Sequence, residues 1–192
     1  MSPVLKPTKP PTPRTIVAHV EDRPGVLARV VGLFRRRGYN IASLTVARTH
    51  DPGVSRLTLV IDADEEAARR LEANLYKLID VIYVDDVTHT SAVVHELALI
   101  KVSAEVDRRT DVIELCKVLG ARVVDVARRA LTVELTDTRD AIDRLVEALG
   151  PYGIIELVRT GAVAMTRGDG ELQPTTEEHL PWQESSTTAT PT

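Results

Sequence analysis

The order of apolar periodicities along residues 15–88 leaves few folds open. Residues 15–20, TIVAHV, alternate as a strand does. A helical period follows, with Val26, Leu27, Val30, Val31, Leu33 and Phe34 on one face. Between the two lies Glu21-Asp22-Arg23-Pro24-Gly25, where Asp22 suits a helix cap and Pro24 a first turn. Gly38 marks the helix end. Strands are predicted at 40–47 and 55–62, joined by the turn His50-Asp51-Pro52-Gly53-Val54. A helix over 64–78 places Ala67, Leu71, Leu75 and Leu78 on one side, and a strand over 80–88 closes the unit. The order β-α-β-β-α-β is the ferredoxin-like split unit, two helices on one face of an antiparallel sheet.

The same order repeats. Strands are expected at 95–105, 121–127, 130–136 and 154–160, and helices at 108–119 and 138–149. The fold class is therefore α+β: two consecutive ferredoxin-like βαββαβ units, at 14–90 and 91–168. Residues 1–13, rich in Pro and Lys, are expected to be a disordered arm. Residues 169–192 are polar, acidic and Pro/Thr-rich and are expected to form a disordered tail. Trp182 is the one large apolar residue in that tail. A weakly docked ring and a partner-docking anchor are both readings of it.

The formal net charge of -4 argues against a chain built to grip nucleic acid, which needs clustered excess cation. The single cysteine, Cys116, excludes an intrachain disulfide and reads as a small core residue. No run of about 18 apolar residues suggests a membrane span, and the start lacks a signal-type stretch, so a cytoplasmic setting is expected. His19, His50, His89, His95 and His179 show no helical zinc spacing, and no phosphate loop or nucleophile elbow occurs. Asp85/Asp86 and Glu177/Glu178 read as solvated charge rather than acid–base pairs. Arg35-Arg36-Arg37 reads as positive charge at the helix C-terminus. Independent catalysis is not expected.

Two loops hold polar and glycine residues where helix meets strand. The first is Asp22-Arg23-Pro24-Gly25-Val26. Backbone N–H groups of Gly25 and Val26 at a helix N-terminus suit an anionic group such as a carboxylate. Gly25 lacks a Cβ and lets a ligand approach the backbone, while the Asp22 carboxylate suits an ammonium. The plainer reading makes Asp22 only a cap and Gly25 only a turn residue. The second loop is Arg37-Gly38-Tyr39-Asn40-Ile41, where Asn40 offers both donor and acceptor, or is simply a helix-exit residue. The loops lie at opposite ends of one helix, about 20 Å apart for ~13 residues. One pocket built from both requires two chains.

The run EDRPGVLARVVGLFRRRGYNIASLTVARTHDPGVSRLTLVID resembles the ACT domain that begins the regulatory small subunit of acetolactate synthase (acetohydroxyacid synthase). HELALIKV, ARVVDVA and LVRTGAVAMTRG, with Gly-x-x-x-x-x-Arg-Gly at 161–168, resemble its later part. The resemblance covers residues 14–168. It implies a non-catalytic subunit that activates a large catalytic subunit and confers feedback inhibition by valine, with leucine and isoleucine as further candidates. Thiamine diphosphate, Mg2+ and FAD would sit on that catalytic partner, with no cofactor on this chain. The implied effector site lies between ACT domains of a homodimer: Asp22, Gly25 and Val26 from one chain, Asn40 and Ile41 from the other, with Ala47 in the adjoining strand. Val26 and Ile41 would supply an apolar floor for a branched side chain. A stand-alone amino-acid-sensing ACT module is the alternative; a link to transcription would need a helix-turn-helix, which the sequence does not show.

Overall fold

The computed structural model describes residues 12–169. The first unit comprises β1 (Thr12–Glu21), α1 (Val26–Arg37), β2 (Ile41–Arg48), β3 (Val54–Ala63), α2 (Glu65–Leu75) and β4 (Val81–Asp86). Its strands form an antiparallel sheet in the order β2-β3-β1-β4. The second unit comprises β5 (Ala92–Ser103), α3 (Arg109–Val118), β6 (Arg122–Val126), β7 (Ala130–Asp137), α4 (Arg139–Leu149), β8 (Ile154–Arg159) and β9 (Val163–Thr166). Its sheet runs β6-β7-β5-β8, the same order by position as the first.

Each sheet buries one face beneath its two helices. Ile16, Phe34, Leu57, Leu59, Ile61, Leu71 and Leu75 make the first core; Ile100, Leu131, Val133, Ile142, Leu145 and Leu149 make the second. Cys116 belongs to the second core, where burial raises its thiol pKa. At its C-terminus α1 carries Arg35, Arg36 and Arg37, opposite the negative end of the dipole, and Gly38 ends it at φ 74°. The Asp64 carboxylate caps α2 by accepting the Ala67 N–H at 2.7 Å.

Three features differ from expectation. Strand β1 starts at Thr12, inside the stretch expected to be mobile, because β3 continues to Ala63 and pairs with it. Pro13 fits there: β4 reaches only to Ile16, so one side of β1 has no neighbouring strand at Pro13. Strand β9 was not expected; it pairs with Ala92–His95, the first third of β5, which projects beyond the second sheet. There Ala164 packs on Val17 and Val87 of the first unit. Finally, β4 ends at Asp86, where a single 3-10 turn, Val87–His89, takes over. Among the described residues no helix is long and apolar enough to cross a membrane. Trp182, Glu177, Glu178 and His179 lie outside the described residues.

Candidate functional site

The loop before α1 makes one more turn than a simple cap needs. The Asp22 N–H donates to the Gly53 carbonyl at 2.7 Å, pinning the loop to the β2–β3 turn. The cap of α1 is Gly25, at φ 86°, with no side-chain hydrogen bond. Asp22 therefore does not cap the helix. Its Oδ1 accepts from the Ser55 hydroxyl at 3.2 Å, and its Oδ2 lies 2.7 Å from Arg48 Nε at the end of β2.

The helix N-terminus nonetheless has donors to give. Val26 N–H turns back to the Arg23 carbonyl at 3.3 Å, and Arg29 N–H starts the helical ladder on Gly25 at 3.0 Å. Among the described residues the N–H groups of Gly25, Leu27 and Ala28 have no protein partner. So the free donors are not the pair expected: Val26 N–H is used, and its side chain is buried in the first core. Val26 is a support for the loop, not an open floor in the single chain.

Beside these donors stands a cation that local sequence rules missed. Arg29 gives Nε and Nη2 to the buried Asp80 carboxylate, at 2.6 and 2.7 Å. That two-point grip fixes the guanidinium plane. Its Nη1 has no hydrogen-bond partner among the described residues and lies 3.5 Å from where a Cβ on Gly25 would stand. The available signal was an arginine one turn into a helix whose first turn carries no acid.

At the other end of α1, Tyr39 locks the exit by donating its hydroxyl to the Ala67 carbonyl at 3.0 Å. Asn40 is exposed, with no hydrogen bond to its side chain among the described residues. Ile41 is half-buried against the first core. A helix of 12 residues holds this exit about 18 Å from the Gly25 loop. The structure thus groups Asp22 and Gly25 at one end, and Asn40 with Ile41 at the other.

Ala47 joins neither group. It pairs with Arg56 on the sheet face away from the helices, where it lines an open cleft of about 1040 Å³. The cleft runs between that face and β9, and His19 and Arg56 form its polar floor. Burial lowers the pKa of His19, and the adjacent Arg56 charge lowers it further. Neutral His19 accepts at Nε2 from Arg56 Nη1, at 3.3 Å. Among the described residues no three His, Cys, Asp or Glu side chains gather as a metal site.

The two units also match known proteins separately and in sequence. Residues 16–83 match the family described as the AHAS small subunit-like ACT domain, and residues 95–168 the family described as the small subunit of acetolactate synthase. A probable acetolactate synthase small subunit of Archaeoglobus fulgidus is 45% identical over 155 residues, covering 81% of this chain and 97% of its own. The acetolactate synthase small subunit of Mycobacterium leprae is 45% identical over 154 residues, covering 80% and 91%. The crystal structure of the Thermotoga maritima acetolactate synthase small subunit superposes with a TM-score of 0.77 at 31% identity, covering 83% of this chain and 99% of that one. With both units matched in order and relatives covered almost end to end, this chain belongs to the acetolactate synthase small-subunit family, a regulatory rather than a catalytic subunit whose first unit is an ACT domain.

Proposed function

We propose that this chain activates the thiamine-diphosphate-dependent catalytic subunit of acetolactate synthase and makes it sensitive to a branched-chain amino acid, valine first, bound between two ACT domains. Membership of a small-subunit family implies the large catalytic partner. In this reading thiamine diphosphate, Mg2+ and FAD belong to that partner.

The observation that carries the effector site is the set of free donors around Gly25, with Arg29 held beside them by Asp80. A free amino acid presents a carboxylate and an ammonium on the same carbon. The helix N-terminus and Arg29 suit the carboxylate. Asp22 suits the ammonium once Arg48 moves aside.

The side chain needs a wall that one chain does not offer. Leu27 and Val31 on α1 and Val46 on β2 are exposed apolar residues, and β2 is an edge strand. A two-fold contact along β2 and α1 would cover them and run the two copies of α1 antiparallel. Asn40 and Ile41 of one copy would then meet the Gly25 loop of the other. Ala47, on the opposite face, acts through the strand.

The test is valine inhibition of the reconstituted complex. Asn40→His is expected to abolish inhibition while the catalytic subunit is still activated. Equal valine sensitivity of variant and unaltered complexes would reject the site.

A further inference from the structure

We infer that residues 160–164 form a strap through which effector occupancy on the first unit is transmitted to the second. The inference rests on the effector reading above. Strand β8 ends at Arg159, Thr160 follows it, Gly161 turns the chain, and β9 begins two residues later. This segment lies across the face of β2 that points away from α1. Thr45 Oγ1 donates to the Thr160 carbonyl at 3.3 Å, and Ser43 Oγ accepts the Ala162 N–H at 3.4 Å. Arg56 on β3 donates to the Ala164 carbonyl. Gly161 sits at φ 82°, and a Cβ there would stand 2.9 Å from the Ser43 Cβ. Backbone and strand meet closer than any other residue would allow.

The strap is anchored as firmly on its own side. Thr160 N–H donates to the Leu97 carbonyl at 3.1 Å, and Thr160 Oγ1 accepts the Leu97 N–H at 3.1 Å. The preceding Arg159 binds Glu96 on β5 and Asp143 on α4. A shift of the strap therefore moves groups that belong to three elements of the second unit.

Strand β2 is suited to deliver such a shift. It is an edge strand with β3 as its one strand neighbour, and its register breaks between Ile41 and Ser43. It begins at Ile41 and ends at Arg48, which holds Asp22. An effector that seats on Asn40 and Ile41 of one copy and frees Asp22 from Arg48 in the other acts on the start of one β2 and the end of its mate, so two filled sites act on both ends of each strand. The strap holds the middle. Two packed arrangements of this strand, biased by ligand, give coupling without any direct path through a core.

The experiment uses the full chain with its catalytic subunit and two variants. Ser43→Ala/Thr45→Val removes both hydroxyls without added bulk, and Gly161→Ala pushes the strap off β2. Valine binding to the free chain, measured by calorimetry, is expected to stay within about threefold of the unaltered protein, while maximal inhibition of the complex falls by more than about half. Valine is expected to alter hydrogen exchange at 160–166 in the unaltered chain and not in the variants. Full inhibition retained in both variants overturns the strap, as does binding that weakens in step with inhibition. If the unaltered chain binds neither valine, leucine nor isoleucine, the effector reading fails first and takes the coupling with it.

Discussion

Gly25 offers the sharpest single perturbation, because one methyl group tests the backbone and the site at once. At φ 86° an L-residue costs about 1–2 kcal/mol. The added Cβ would meet Arg29 Nη1 at 3.5 Å, an ordinary contact, so no steric clash adds to that cost. Gly25→Ala should therefore fold, with a midpoint lower by about 4–8 °C per kcal/mol for a unit of this size. The methyl would also stand between the free N–H groups and Arg29, where the ligand carboxylate belongs. Valine affinity should fall at least about tenfold, which is ~1.4 kcal/mol. Gly120→Ala is the matched control: φ is 73°, nothing lies within 4 Å of its Cβ, and it sits in the second unit. Thermal unfolding with and without millimolar valine reads both quantities, since a ligand specific to the folded state raises the midpoint by mass action. Both variants should lose stability, and only Gly25→Ala should lose the valine shift. An undiminished valine shift in Gly25→Ala would refute the carboxylate site. An undiminished midpoint in both variants would refute the backbone argument.

Three further outcomes follow from the geometry. Arg48→Gln should tighten valine binding by about 1.4- to fivefold, because an exposed ion pair worth roughly 0.2–1 kcal/mol no longer competes for Asp22; unchanged or weaker binding in titration calorimetry would exclude Asp22 as the ammonium partner. His19 has a lowered pKa when folded, so its contribution is complete above its ordinary value near 6.5 and is lost as pH falls through the lower folded value. Denaturant unfolding should show a weaker acid loss of stability in His19→Gln, and parallel pH profiles would contradict the assignment. Cys116 is 1% exposed with a raised thiol pKa, so an aromatic disulfide reagent should label it only at the rate of unfolding; rapid labelling of the native chain would contradict its burial.

Much of the fold was legible because its signals are local. The alternation of β3, the Gly38 stop and the Leu71/Leu75 face each act within a few residues. The failures came where a distant group decides. Asp22 has a good cap residue's chemistry, but Arg48 and Ser55 claim its carboxylate from 26 and 33 residues away. Ile41 and Ala47 are six apart, and strict alternation would put them on one face. The register break after Ile41 flips the parity, so Leu44 faces the core while Ser43, Thr45 and Ala47 face outward. Leu27 and Val31 read as core because the apolar stripe of α1 is wider than one sheet covers; they are 42% and 38% exposed. Strand β9 has four residues between two glycines, too few for a period to show. The Arg29–Asp80 grip joins a helix to a loop 51 residues later, beyond any local rule.

The central claim is that one effector site takes residues from two chains, and a mixing experiment tests it directly. Gly25→Ala and Asn40→His chains each carry a defect in opposite halves of the site, so each alone should bind valine at least about tenfold more weakly than the unaltered protein by calorimetry. When equal amounts are unfolded, mixed and refolded together, half-and-half dimers pair the intact Gly25 loop of one chain with the intact Asn40 of the other. Valine binding should then return, at about one quarter of the site count of the unaltered protein for random pairing. No recovery in a mixture shown to contain hybrid dimers would place the site within a single chain and contradict the account.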